Sequence, residues 1–172
     1  LLLAPNAGVG SFFRPESRTG FPKDRWAIPP LGLWRISSFL HRLDDVDVEV
    51  FDGYVDSEEY LVDRLQDRNF DIIGFSITHQ TLENDIYFMH VCKQVSPESV
   101  LIIGGDEATF NYRKVMDIAP IDFAVLGEGE IPMRNMCYQL REGSKDFRNV
   151  SGLMFRKDGD YERSGPNYAM DS

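Results

Sequence analysis

Five short apolar runs set the tightest limit on what this chain can fold into: Leu1–Ala4, Val46–Phe51, Ile72–Ser76, Val100–Gly104 and Phe123–Leu126. Each is four to six residues long and rich in Val, Ile, Leu or Phe. Most are continuous rather than alternating, as expected of strands buried on both faces in a parallel sheet covered by helices. The stretches between them carry helical spacing. Pro29-Pro30 opens the first, with Leu33, Ile36, Phe39, Leu40 and Leu43 on one face. Ser57-Glu58-Glu59 caps the second, which carries Leu61 and Leu65 and runs to Asn69. The third covers about Leu82 to Val95, points Ile86, Met89 and Cys92 inward, and is ended by Pro97. A short fourth runs from about Asn111 to Ala119. The fifth starts near Glu130, points Met133, Met136, Cys137 and Leu140 inward, and stops at Gly143. Five such units predict an α/β protein: a three-layer, doubly wound, parallel five-stranded sheet with right-handed crossovers.

Beyond Gly143 the pattern changes. Ser151–Arg156 and Tyr161–Arg163 flank Asp158-Gly159 and read as a C-terminal β-hairpin. Ser164–Ser172 reads as an exit linker. The expected division is therefore residues 1–143 for the sheet domain and 144–172 for hairpin and linker. The chain opens at Leu1, already inside an apolar run, as expected of a piece of something longer.

Charge narrows the partners. Lys and Arg number 18 against 28 Asp and Glu, a net charge of −10. No basic stripe suits a phosphate backbone, so no nucleic-acid partner is expected. No apolar run is long enough for a membrane span or a secretory signal, so no membrane partner is expected either. Cys92 and Cys137 form no CxxC pair and read as buried thiols of a reducing compartment, which points to the cytoplasm.

Ligands of open α/β sheets sit beyond the carboxyl ends of the strands. The first strand leads into Asn6-Ala7-Gly8 and a loop to Pro29 with Phe12, Phe13, Phe21 and Trp26 among three arginines. A loop of that length is a lid, a docking surface, or packing over the sheet edge. The third leads into Ser76, Thr78 and Thr81, whose hydroxyls suit either a polar ligand or a helix cap. His79 is the histidine at a strand mouth, a hydrogen-bonded wall residue rather than a metal ligand, since metal sites need several donors. His41 and His90 read as structural or surface residues. Gly104-Gly105 follows the fourth strand and Gly127-Glu128-Gly129 the fifth, pairs that permit close backbone approach or simply a tight turn. Asp106-Glu107 and Glu128/Glu130 suit solvated helix starts better than acid–base work and argue against a phosphate cradle. GxGxxG, Walker and G-x-S-x-G motifs are absent.

Taken in order, PPLGLWRISSFL, VDVEVFD, DIIGFSITHQT, VLIIGGDEAT and DFAVLGEGE resemble the N-terminal cobalamin-binding domain of B12-dependent radical SAM enzymes. That group includes anaerobic magnesium-protoporphyrin ester cyclases and many C- and P-methyltransferases. The likeness covers about residues 1–156. It implies a flavodoxin-like fold with strand order 2-1-3-4-5. The cofactor's dimethylbenzimidazole tail would enter the sheet's carboxyl edge, with the corrin ring across the top. The matching cofactor-binding positions are Asn6, Ala7, Gly8, Ser76, Thr78, Gly104, Gly105, Gly127, Glu128 and Gly129, with His79 placed to approach the lower face.

Two departures stand out. The DxHxxG cobalt-ligand motif is absent, and Asp106-Glu107 stands where relatives often have Pro-His. The resemblance further implies a covalently following radical SAM domain that carries the 4Fe-4S cluster and S-adenosylmethionine. Cys92 and Cys137 cannot supply its CxxxCxxC motif. The piece alone would hold a corrinoid without catalysing. Methyl transfer or oxidative cyclisation would belong to the parent. A flavodoxin-like scaffold or docking domain that has lost cobalamin stays open as the alternative. A receiver is disfavoured by Pro5-Asn6 where an acidic pocket belongs, and a flavin site by the sequence Asn6–Ser11.

Overall fold

The computed structural model describes residues 1–4, 30–53 and 55–165. Their strands form one sheet in the order β2-β1-β3-β4-β5-β6-β7. The strands are β1 (Leu2–Ala4), β2 (Val50–Asp52), β3 (Ile72–Ser76), β4 (Val100–Gly104), β5 (Phe123–Val125), β6 (Leu153–Lys157) and β7 (Asp160–Arg163). The helices are α1 (Leu31–Leu40), α2 (Glu58–Asp67), α3 (Leu82–Val95), α4 (Asp106–Ile118) and α5 (Glu130–Arg141). The first five strands pair in parallel, in the order 2-1-3-4-5 expected from the resemblance. The hairpin is present and continues the same sheet: β6 pairs antiparallel with β5, and β7 with β6. Asp158 and Gly159 turn it at φ 51° and 85°, the left-handed pair that a two-residue hairpin requires.

Alternate strand residues feed two separate cores. Leu3, Ile73, Phe75, Leu101, Ile103 and Ala124 pack under α2, α3 and α4. Leu2, Ile72, Ile102, Phe123 and Val125 pack under α1 and α5. Burial on both faces is why β3 and β4 read as unbroken apolar runs. Ser57 caps α2 by accepting from the Tyr60 backbone N–H at 3.2 Å, with Glu58 and Glu59 in the first turn where the helix dipole favours them.

Two boundaries and one inward-facing helix position differ from expectation. The second strand begins at Val50, not Val46, because Val46 and Val48 pack half-buried against the core of α1 and α5 without joining the ladder. The fourth helix begins at Asp106 rather than Asn111. Asp106 and Glu107 occupy its first turn, and Asn111 (φ −128°, ψ 18°) is a kink inside it. On α3 the fully buried position beside Met89 and Cys92 is Asp85, while Ile86 is half-buried. Among the described residues no helix is long and apolar enough to cross a membrane.

Candidate functional site

A cleft of about 330 Å³ opens at the carboxyl end of the sheet, on the face covered by α1 and α5. It exists because that face runs out of side chains. Along β3 and β4 the residues pointing this way are Ile72, Gly74 and Ser76, then Val100, Ile102 and Gly104; the last two of β3 and the last of β4 are small. Leu2, Ile102 and Val125 form the apolar floor, and α1 contributes Gly32, Leu33 and Ile36 as a wall. A methyl group at Gly74 would sit 3.2 Å from Leu2 Cδ2 and 3.3 Å from Ile102 Cγ1, so any side chain there fills the floor. A methyl group at Gly104 would meet only Val125 Cβ, at 4.0 Å, and would point into free space.

Two glycine turns form the rim. Gly105 has φ +93°, and a Cβ there would lie 2.8 Å from the Ile77 carbonyl oxygen; the turn needs glycine for conformation and for space. Gly127 has φ +78° with nothing within 4 Å of its missing side chain, so only conformation demands it. Thr109 ties the turns together. Its Oγ1 donates to the Gly105 carbonyl at 2.9 Å and accepts from the Gly127 N–H at 3.1 Å. Gly129 lets α1 approach the start of α5, where a Cβ would come within 2.9 Å of Ile36 Cδ1. Phe110 stands at the mouth, 79% exposed, and does not fill it.

The predicted residues divide accordingly. Ser76, Gly104, Gly105, Gly127, Glu128 and Gly129 come together around the cleft. Thr78 and His79 do not line it. Thr78 Oγ1 lies 3.0 Å from Thr81 Oγ1 in the β3–α3 turn, and His79, 71% exposed on its side chain, places Nδ1 3.9 Å from Glu107 Oε2. Asn6, Ala7 and Gly8, with the rest of the aromatic loop, lie outside the described residues. Sequence reading missed Gly74, Thr109, Arg35 and Ile36. Period-two alternation along β3 places Gly74 with Ser76 and was the available signal; no local pattern marks the other three.

Charge at the site is mostly carboxylate. Asp106, Glu128 and Glu130 line the mouth, and Arg35 is the sole cation among the described lining residues. Behind the β3–α3 turn, Asp85 is fully buried. Its Oδ2 accepts from Thr81 Oγ1 at 2.7 Å, and its Oδ1 has no partner among the described residues. Burial holds its carboxyl well above the usual carboxylate range, against the opposing effect of hydrogen bonds from Thr81 and the Thr78 backbone. Burial likewise pushes the Cys92 thiol up to about 12 and raises Cys137, so neither is a reactive thiolate. Among the described residues no three of His, Cys, Asp and Glu stand together to hold a metal ion.

The cleft's volume is at the lower end of the small-molecule range, and its walls are apolar with a few polar groups. It suits a planar heterocycle entering edge-on between α1 and the glycine-lined strand ends. It is far too small for a tetrapyrrole-sized ring, which would have to rest outside, across the rim. A second hollow, about 390 Å³, lies at the amino ends of the strands among Leu1, Val46, Arg68 and Asp71, away from where open sheets hold ligands.

Comparison with known proteins places the chain in a family and shows its fold in solved structures. The B12 binding domain family matches residues 26–136, more than half of the chain. The anaerobic magnesium-protoporphyrin IX monomethyl ester cyclase of Cereibacter sphaeroides is 29% identical over 154 residues, covering 87% of this chain and 25% of that protein. An uncharacterized methyltransferase of Pyrococcus horikoshii is 24% identical over 141 residues, covering 80% of this chain and 30% of its own length. Among solved structures, the radical S-adenosylmethionine methyltransferase TsrM from Kitasatospora setae, with cobalamin and a 4Fe-4S cluster bound, superposes with a TM-score of 0.74. It is 18% identical and is covered for 28% of its length, against 96% of this chain. The cobalamin-dependent S-adenosylmethionine radical enzyme OxsB, with aqua-cobalamin and S-adenosylmethionine bound, gives 0.68 at 18% identity, covering 98% of this chain and 22% of that one. The chain thus spans less than a third of each of these proteins.

Proposed function

Since the chain belongs to the B12 binding domain family, we propose that it is the corrinoid-holding module of a larger B12-dependent radical SAM enzyme, with the cleft as the seat of the nucleotide tail. The observation that carries this is the loss of side chains from one sheet face alone: Gly74, Ser76 and Gly104 open a slot where the opposite face is filled. Gly104 and Gly74 admit the tail's flat base over Leu2, Ile102 and Val125. Ser76 offers a hydroxyl at the slot's rim. The Gly105 and Gly127 turns, tied by Thr109, let backbone come close to the ring above. Thr78 and His79, in the exposed β3–α3 turn, would complete the set of corrinoid-contacting residues together with Asn6, Ala7 and Gly8.

The bound corrinoid would supply organometallic cobalt chemistry. This chain's residues bind and orient it and keep water from its tail. Catalysis would lie in a covalently following radical SAM domain with its own 4Fe-4S cluster and S-adenosylmethionine, of a methyl-transfer or oxidative-cyclisation type, in the cytoplasm. Residues 1–143 would serve as the holding domain and 144–172 as hairpin and exit linker.

Titration with hydroxocobalamin followed by gel filtration tests the reading. It predicts one corrinoid retained per chain, with a changed absorption spectrum. Corrinoid that elutes free, with an unaltered spectrum, contradicts it.

A further inference from the structure

The mouth of the cleft holds a pair of ion contacts made by one arginine. Arg35 reaches from α1 across the mouth to the turn before α5. Its Nη1 lies 3.2 Å from Glu128 Oε2 and its Nε 2.5 Å from Glu130 Oε1. The two carboxylates differ: the Glu130 side chain is 13% exposed and fixed, whereas Glu128 is 80% exposed. An exposed pair such as Arg35–Glu128 is weak and easily exchanged.

A cobalamin tail brings one anionic group to this mouth, the phosphodiester beside its neutral base. Asp106, Glu128 and Glu130 all repel it there, and Arg35 is the one lining cation among the described residues. Guanidinium groups hold phosphate oxygens in a two-pronged fashion, at charge-assisted strength. We propose that Arg35 recognises the phosphodiester of the nucleotide tail, exchanging Glu128 for it while Glu130 keeps the guanidinium aligned, and so selects corrinoids that carry this phosphate. The inference rests on the cleft being the tail's seat.

The test compares three probes on the 172-residue chain by equilibrium dialysis: hydroxocobalamin, cobinamide phosphate (phosphate without base) and cobinamide (neither). Arg35→Gln weakens the two phosphate-bearing probes about five- to tenfold, the range of a partly exposed charge-assisted contact, and leaves cobinamide unchanged. Glu128→Gln tightens the phosphate-bearing probes about twofold by releasing Arg35. Both positions are exposed, and an unchanged thermal melt shows that each variant is folded. Equal weakening of all three probes by Arg35→Gln overturns the inference, as does an unaffected cobinamide phosphate. So does a Glu128→Gln variant that weakens binding as Arg35→Gln does, since Arg35 would then only brace the turn. Failure of the unsubstituted chain to retain hydroxocobalamin overturns the underlying reading itself and the inference with it.

Discussion

The two faces of the sheet are made from alternate residues of the same strands, yet they end differently. Toward α2, α3 and α4 the last residues are Phe75, Ile77 and Ile103, and the core is filled to the top. Toward α1 and α5 the matching positions are Gly74, Ser76 and Gly104, and the core gives way to a cleft. The cleft is made by withholding side chains from one face. The other face then has to supply the packing that keeps the strand ends together. Positions that govern folding and positions that govern binding should therefore separate by face.

The largest effect belongs to the filled face. Leu101→Ala, at a fully buried position, lowers unfolding free energy by about 3 kcal/mol in urea titrations, while corrinoid affinity in the folded fraction stays unchanged. A variant that loses binding but not stability would erase the distinction between faces.

Gly105→Ala comes next, and it straddles both roles. A positive φ of 93° and a Cβ 2.8 Å from the Ile77 carbonyl make alanine cost about 2–3 kcal/mol by the same assay.

Its neighbour behaves oppositely. Gly104→Val finds free space, so stability changes by less than about 1 kcal/mol, but the branched group occupies the slot and corrinoid affinity falls about tenfold or more. Dialysis and a urea curve on one preparation check both halves.

Thr109→Val removes the hydroxyl linking the two turns, at a cost of about 1 kcal/mol and a faster corrinoid off-rate.

The smallest effect is pH-dependent. Asp85 binds its proton more tightly in the folded chain than in the unfolded one. Its favourable contribution is therefore full below the ordinary value of 3.8 and is lost as pH rises through the raised one. Asp85→Asn should lack this dependence, so its urea midpoint gains on the parent as pH climbs from 4 toward neutrality. Parallel midpoints across that range would mean that Asp85 is not the buried acid described.

Much of this architecture is legible without coordinates. Strands β3 and β4 occupy the residues of the apolar runs at Ile72–Ser76 and Val100–Gly104, because burial on both faces leaves no ambiguity of period. At the sheet's edge, Val46 and Val48 are apolar for packing rather than for strand pairing, so the apolar run begins four residues before β2 does. The glycine turns are legible as glycines, whereas Gly74 lies inside an apolar run and gains meaning only from the side of the sheet it faces. Arg35 and Thr109 matter through partners 93 to 95 and 18 residues away, a relation that helical spacing alone does not reveal. The loop holding Asn6, Ala7 and Gly8 lies outside the described residues.

The proposed seating of a heterocycle inside this cleft has a spectroscopic consequence. A benzimidazole held between α1 and the strand ends would be drawn away from cobalt. Methylcobalamin mixed with the chain at neutral pH should therefore show a base-off absorption spectrum, and Gly104→Val should abolish the change. A bound corrinoid whose spectrum stays base-on, or one that the Gly104→Val variant converts equally well, would contradict the account.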